Sequence, residues 1–230
     1  KELACIQKYF PDSLVLFADD NFLVHRNACK NLLQEIKRMQ IRWIAQTDIS
    51  IAGDDALLQE MVRSGCQWVV IGFESVHFDS LQNLDQKNWK LKQFPGYEAA
   101  IAKIQSYGIG VYGTFIVGLD GDDTSVFQMT GNFIKNNYLY GVNITVPTPL
   151  PGTALREKML QENRVLTNDW SYYTFWDVTI QPKKMQVTQL EEGLLHLYEN
   201  LYTDTLIAQR LTHMKTLAKS RKRIIEASHQ

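Results

Sequence analysis

The chain has 230 residues, 45% hydrophobic and 21% charged, with 24 Lys+Arg against 25 Asp+Glu for a formal net charge of -1. That balance excludes an overall field that would select nucleic acid or an anionic membrane, so nucleic acid is not expected as a partner. Apolar runs such as Leu14 to Ala18 and Trp68 to Phe73 are five or six residues long, far below the roughly 20 that span a bilayer, so no membrane span is expected.

Lys1 to Phe10 reads as helix and lacks the basic, apolar, small-residue order of a secretory signal. Short β-rich runs follow at Ser13 to Ala18, Arg42 to Thr47, Trp68 to Phe73, Gly110 to Val117 and Val142 to Pro147. Between them, apolar residues spaced by three and four predict helices over Asn27 to Gln40, Asp54 to Ser64, Gly96 to Tyr107 and Asp123 to Asn137. Asp54 suits an N-cap, and Gly65 and Gly108 stand where helix C-caps belong. The strands are close to continuously apolar, as in LVLFA and WVVIGF, which is expected of a parallel sheet covered on both faces.

Polar groups or glycine turns follow every strand: Asp19, Asp20 and Asn21; Gln46 and Asp48; Glu74 and Ser75; Gly118 to Asp123; Thr148 to Thr153. A barrel would gather them in a ring at one mouth, whereas a doubly wound sheet would concentrate them at one switch point. No strand is followed by a Gly-x-Gly-x-x-Gly turn or a Gly-x-x-x-x-Gly-Lys-Ser/Thr loop, so dinucleotide and P-loop readings lose their support. The barrel is the preferred reading.

Each signal also has a plainer explanation. Asp19-Asp20-Asn21-Phe22 could be an Asx turn capping the helix near Arg26. An ionised Glu74 at the edge of a core costs several kcal/mol unless something binds it, and backbone amides could do so. Gly113 to Asp123 sets glycines around a strand end and acids near a helix start. Thr148-Pro-Leu-Pro-Gly-Thr153 could be a rigid turn opening the next helix.

Beyond Leu155, Trp170, Tyr172, Tyr173, Phe175 and Trp176 crowd into seven residues ahead of Pro182. They are expected to pack against the open side of the barrel, with contact to substrate or to a separate domain as the alternative. Thr188 and Glu191 form a capping box predicted to open one long helix toward Leu217. Lys215, Lys219, Arg221, Lys222 and Arg223 read as a solvated basic face. Cys5, Cys29 and Cys66 read as reduced thiols in a cytoplasmic protein. His25, His77, His196, His213 and His229 show no metal-ligand spacing.

In this order and spacing, Phe17-Ala-Asp-Asp-Asn-Phe22, Trp43-Ile-Ala-Gln-Thr-Asp48, Gly65-Cys with Val-Ile-Gly-Phe-Glu-Ser75, Gly113-Thr-Phe-Ile-Val-Gly118 and Thr148-Pro-Leu-Pro-Gly-Thr153 resemble the radical SAM superfamily. The likeness is to its cobalamin-domain type, which includes hopanoid-type methylases, and it runs from about Asp12 to Leu201. It implies an α/β fold, a partial parallel β/α (TIM-like) barrel. Residues 1-155 would form the barrel and residues 156-230 a C-terminal extension with the aromatic segment and a long helix.

The resemblance further implies S-adenosyl-L-methionine (SAM) across the strand ends, bound to a [4Fe-4S] cluster that cleaves it reductively to a carbon-centred radical, with cobalamin as a further cofactor. Carried over by position, Glu74 and Ser75 would lie near the SAM ribose, and Lys87 would take the SAM carboxylate. Gln46 and Asp48 would approach from the neighbouring strand. Thr114, Ile116 and Gly118 would flank the adenine, with Thr145 and Pro147 beside it.

The departure is in the cysteines: Cys5, Cys29 and Cys66 cannot supply the family's Cys-x-x-x-Cys-x-x-Cys loop. The expectation is therefore a SAM-binding part that lacks the first strand and is inactive alone, acting on a small-molecule substrate, with a cluster segment and a cobalamin domain upstream. Two alternatives stand beside it: a cluster-free SAM- or substrate-binding scaffold, and an unrelated barrel enzyme using Asp19, Asp20 and Glu74 for metal or acid-base chemistry.

Overall fold

The structure, a computed structural model, describes residues 1–227; His229 falls outside the described residues. Helix α1 (Glu2–Tyr9) leads to strand β1 (Leu14–Phe17), α2 (Arg26–Met39), β2 (Arg42–Thr47), α3 (Asp55–Arg63) and β3 (Cys66–Glu74). The short helices α4 (Phe78–Leu81) and α5 (Trp89–Gln93) precede α6 (Tyr97–Ser106), β4 (Gly110–Ile116), α7 (Ser125–Asn136) and β5 (Gly141–Thr145). Then come α8 (Ala154–Gln161), α9 (Val187–Leu201) and α10 (Asp204–Ala227).

All strand pairs are parallel and lie in sequence order, β1-β2-β3-β4-β5, so the sheet is an open arc of five strands rather than a closed barrel. The helices form where the apolar period predicts them. Asp54 caps α3 by accepting from the Leu57 amide at 2.9 Å, and Gly65 (φ 100°) and Gly108 (φ 81°) turn the chain out of α3 and α6. A side chain at Gly65 would run into the Ile41 carbonyl.

Burial alternates along the strands. Val15, Trp43, Ala45, Val69, Ile71, Phe73, Val111, Phe115, Val142 and Ile144 are buried together with Leu33, Leu57, Met61, Ile101, Ile104 and Phe133 of the crossover helices. The intervening residues stay half-exposed or exposed and line up across the sheet. Leu16 pairs with Ile44 and Ile44 with Trp68; Gln46 pairs with Val70 and Val70 with Tyr112; Gly72 pairs with Thr114 and Thr114 with Asn143; Ile116 pairs with Thr145. The near-continuous apolar strands are therefore covered by helices on one face only. The other face is the concave interior of the arc.

Helix α9 packs on α7: Leu197 lies against Gly131, and Gly193 allows the approach of Phe127. The Tyr198 hydroxyl reaches the outer edge of β5, donating to the Ile144 carbonyl at 2.9 Å and accepting from its amide at 2.8 Å. It takes the place a further strand would occupy. Helix α10 crosses the N-terminal ends of the strands, where Arg221 Nη1 donates to the Cys66 and Gln67 carbonyls at 3.0 and 3.1 Å.

Two expectations are corrected. The C-terminal helix is broken at Tyr202 and Thr203 into α9 and α10, and it opens two residues earlier than Thr188 and Glu191 suggested, with the Gln189 side chain accepting from the Gln186 amide at 2.8 Å. Trp170, Tyr172, Phe175 and Trp176 do not pack on the open side of the barrel; all four are exposed.

At Ile144 the edge of β5 is met by one hydroxyl. Tyr198→Phe leaves the Ile144 amide and carbonyl without that partner, and we expect urea unfolding to show a loss of about 1–3 kcal/mol with an unchanged m-value. A loss below about 0.5 kcal/mol would mean that solvent replaces the bond.

Candidate functional site

The site grows from the end of β3. Between Gly72 and Glu74 the register with β4 shifts, and Glu74 takes a left-handed conformation, φ 64°. Such a conformation in a non-glycine residue costs of order 1–3 kcal/mol and persists only where neighbours enforce it. They do so here. Lys90 Nζ lies 3.4 Å from Glu74 Oε1 and also donates to the Gly72 carbonyl. The Asp85 carboxylate accepts from the Trp89 and Lys90 amides at 2.6 and 2.8 Å, which fixes the start of α5. Tyr97 Oη donates to the Lys90 and Phe73 carbonyls at 3.3 and 3.4 Å. Burial, then the negative charges of Glu74 and Asp85, push the Tyr97 phenol up, so it stays a donor.

Glu74 and Lys90 face a cavity of about 380 Å³ shared with Asp20, Asn21, Gln46, Thr47, Asp48, Gly72 and Trp89. Gln46 is exposed at its rim. Asp48 is already committed: its oxygens accept from Asn21 Nδ2 at 2.7 Å and from the Ser50 amide at 2.8 Å. Burial acts to raise its carboxyl, but these bonds and the charge of Arg26 outweigh burial and hold it below its usual range. Thr47 Oγ1 donates to Asn21 Oδ1 at 3.2 Å. The Asp19 to Phe22 turn thus buttresses β2 and does not cap α2, whose N-cap position is His25, without a side-chain cap bond.

The ends of β4 and β5 build a second, smaller cavity of about 160 Å³ around Gly118, Leu119, Asp120, Gly121, Pro147, Lys158 and Ile180. Asp122 is fully buried; it accepts from Ser80 Oγ and from the Gly118 and Leu119 amides, both at 2.9 Å. It thereby ties the loop after β3 to the loop after β4. Burial pushes its carboxyl up, against these bonds. Thr153 opens α8 as a cap, accepting from the Arg156 amide at 3.3 Å.

The ten sequence-derived residues therefore separate. Gln46, Asp48 and Glu74 share the larger cavity, and Gly118 and Pro147 line the smaller one. Thr114, Ile116 and Thr145 lie on the concave face between them. Ser75 is buried and accepts from the His77 amide at 3.0 Å. Lys87 is exposed, and it is Lys90, one turn on, that meets Glu74. Reading the sequence named Asn21 as a strand-end polar group but missed Lys90 and Trp89; Asp85, placed to accept from the first amides of α5, was the signal that would have aimed Lys90.

Among the described residues, no group of three or more His, Cys, Asp or Glu could hold a metal ion, so Asp19, Asp20 and Glu74 do not assemble a cation site. Cys66 sits at the start of β3, at the opposite end of that strand from Glu74, Cys29 is buried on α2 and Cys5 is exposed on α1. These thiols do not converge.

No family model matches the chain. Over 195 residues, 85% of the chain, it is 30% identical to bacteriochlorophyllide d C-12(1)-methyltransferase of Chlorobaculum tepidum, covering 42% of that protein. Over 161 residues, 67% of the chain, it is 27% identical to hopanoid C-2 methylase of Rhodopseudomonas palustris, covering 30% of it. The chain thus spans less than half the length of either relative. Its fold matches the radical S-adenosylmethionine methyltransferase TsrM of Kitasatospora setae, solved with cobalamin and a [4Fe-4S] cluster, at a TM-score of 0.64. That match has 13% identity and covers 98% of this chain and 54% of the other.

Asp120 provides a pH-resolved test of the smaller cavity. Burial acts to raise its carboxyl, but Lys158, Arg164 and Lys183 outweigh burial and bring it to about 2. A depressed carboxyl stabilises the fold above its unfolded pKa of about 3.9, and that contribution is lost as pH falls through the folded value. Asp120→Asn is expected to be less stable than the parent at neutral pH, with the gap closing between about pH 4 and pH 2. Urea unfolding across that range checks it, and a gap that does not change with pH counts against the network.

Proposed function

Since this chain is a relative of the radical SAM methyltransferases, of the cobalamin-domain type that includes hopanoid-type methylases, we propose that it is the SAM-binding part of such an enzyme. The observation that carries this reading is the Glu74–Lys90 pair, held in a strained turn beside Gly72 at the mouth of the concave face. A carboxylate and an ammonium side by side match a zwitterionic amino-acid moiety with a ribose: the carboxylate accepts from ammonium or hydroxyl groups, and the lysine pairs with the carboxylate. SAM, when bound with a reduced cluster, supplies the radical chemistry.

The residues of this chain bind and orient. Gly72 leaves the strand bare, since a side chain there would meet Glu74 and Lys90, so a ligand can lie close to the backbone. Thr114, Asn143 and Thr145 offer polar groups along the neighbouring strands, and Val70 and Ile116 offer apolar surface against water. Lys90 takes the role expected of Lys87. Gly118 and Pro147 shape the loop beyond Ile116, and Ser75 supports the turn from beneath.

The three thiols, spread over α1, α2 and the start of β3, do not fit a [4Fe-4S] cluster. Cluster ligands, and cobalamin of the kind bound to TsrM, would come from a segment and a domain outside this chain. We further propose a small-molecule methyl acceptor, and a division into a barrel part over residues 1-155 and an extension over 156-230. The separation of the cysteines also favours a second reading, a cluster-free SAM-binding scaffold. A Cys-x-x-x-Cys-x-x-Cys segment encoded ahead of Lys1 supports the enzyme, and none there supports the scaffold.

Calorimetric titration of SAM into the chain tests the site. Glu74→Ala and Lys90→Ala are each expected to weaken binding about 10- to 100-fold, roughly 1.4 to 2.7 kcal/mol, while Lys87→Ala stays within about two-fold. Unchanged affinity in Lys90→Ala, or no SAM binding by the parent, would overturn the assignment.

A further inference from the structure

A cavity of about 370 Å³ opens at the end of β3 away from Glu74, between the starts of the strands and helix α10. Trp68 and Tyr140 form its sheet side, with their rings stacked at 4.3 Å and 17°. Gly110 at the start of β4 makes that possible: a Cβ there would stand 3.0 Å from Trp68 Cβ and 3.2 Å from Tyr140 Cδ2. On the helix side, Leu211, Met214, Lys215 and Ala218 recur at spacings of three and four, so one face of α10 is turned to the cavity. In β/α barrels the chemistry sits at the C-terminal ends of the strands, so this cavity is no part of the site built on Glu74.

The charges on its wall have one sign. Lys215 and Arg221 line the cavity and no Asp or Glu does; among the described residues neither cation forms an ion pair. Arg221 spends Nη1 on the Cys66 and Gln67 carbonyls at 3.0 and 3.1 Å, which fixes the guanidinium against the start of β3. Among the described residues its Nε and Nη2 make no hydrogen bond, and neither does the Tyr140 hydroxyl. Burial lowers the Arg221 guanidinium and raises the Tyr140 phenol, whose ionisation the charge of Arg221 also reaches. The two groups are therefore neighbours, one a partly desolvated cation and the other a hydroxyl that keeps its proton. A cation stripped of water without a counter-charge is costly, and a carboxylate that accepts from the guanidinium fork offsets that cost.

We propose that this cavity is a second ligand site, for a small aliphatic carboxylate whose head pairs with Arg221 and whose chain lies between the Trp68–Tyr140 pair and α10. It stands apart from the SAM reading and does not depend on it. Three observations select the occupant. The lining is apolar with few polar groups, as in small-molecule sites. The polar groups that are free to bond are donors, and both charges are positive, so the head is an anion. The facing rings of Trp68 and Tyr140 are already spent on each other, and the remaining wall is leucine, methionine and alanine, pliable surface that suits a flexible chain and not a flat ring. A ligand held there would join α10 to the starts of β3 and β4.

Calorimetric titration of octanoate into the chain tests the site, with octan-1-ol, octylamine and 2-naphthoate as comparisons. Saturable binding of one octanoate per chain, at least ten-fold tighter than octan-1-ol and absent for octylamine, supports it. Arg221→Gln is expected to weaken octanoate at least ten-fold. Because that variant also loses bonds to the Cys66 and Gln67 carbonyls, Ala218→Phe is the second probe: it fills the cavity from an exposed position of α10, breaks no hydrogen bond, and is expected to abolish octanoate binding with the urea midpoint unchanged. No saturable binding, equal affinity for octanoate and octan-1-ol, or octanoate binding unchanged in Ala218→Phe overturns the site. Tighter binding of 2-naphthoate than of octanoate overturns the aliphatic occupant, and binding only above the concentration at which octanoate forms micelles overturns it in favour of a lipid surface. SAM titration of the same samples reads the other site independently.

Discussion

Helices cover only one face of a sheet whose strands are apolar on both, and most of the molecule follows from that asymmetry. Trp43, Ile71, Phe73 and Phe115 are sealed beneath the crossover helices, so the register of every strand is set by burial, and a one-residue slip would exchange the two faces. The opposite row, from Leu16 and Ile44 through Gln46, Gly72 and Thr114 to Thr145, is left half-open. An arc with an uncovered concave face is a binding surface whose polar groups lie at the strand ends. Its edges are treated differently: β5 is closed by the Tyr198 hydroxyl, whereas β1 presents exposed Leu14 and Leu16 and no outer partner among the described residues. An edge of that kind is ready to pair with a further strand.

The strained turn at Glu74 is the point where fold and site meet. Bulging the strand removes one residue from the ladder and turns the carboxylate toward the cavity, while Lys90, Asp85 and Tyr97 hold the backbone in place. The same bonds that offset the strain present a charge pair to a ligand. The support comes from a segment 11 to 23 residues downstream of Glu74, so the site is built before anything occupies it.

Much of this was legible from residue types. Alternation of apolar strands with helices of period 3.6 located every sheet strand within a few residues, and Asp54, Gly65 and Gly108 marked helix boundaries because capping is local chemistry. The likeness to radical SAM proteins is matched by the relatives found. Less visible were features that depend on neighbours distant in sequence. The resemblance pointed to Lys87, but the Asp85 carboxylate fixes the start of α5 and turns Lys90 onto Glu74. Thr188 and Glu191 have the residue types of a capping box, but Leu190, Leu194, Leu197 and Leu201 must face the core, which starts the helix at Val187. The break at Thr203 then lets α10 run beneath the strands.

The amino-acid sequence by itself determined the class of fold, the parallel order of the strands, and the rule that polar groups gather at their C-terminal ends, because periodicity and capping act over a few residues. Tertiary structure alone decided which of those groups meet. It joined Glu74 to Lys90, committed Asp48 to Asn21 and Ser50, buried Ser75, and split Gly118 and Pro147 into a cavity apart from Gln46. It also decided that Trp170, Tyr172, Phe175 and Trp176 are left exposed, on a loop that a hydrogen bond from the Val146 amide to the Phe175 carbonyl pins beside β5.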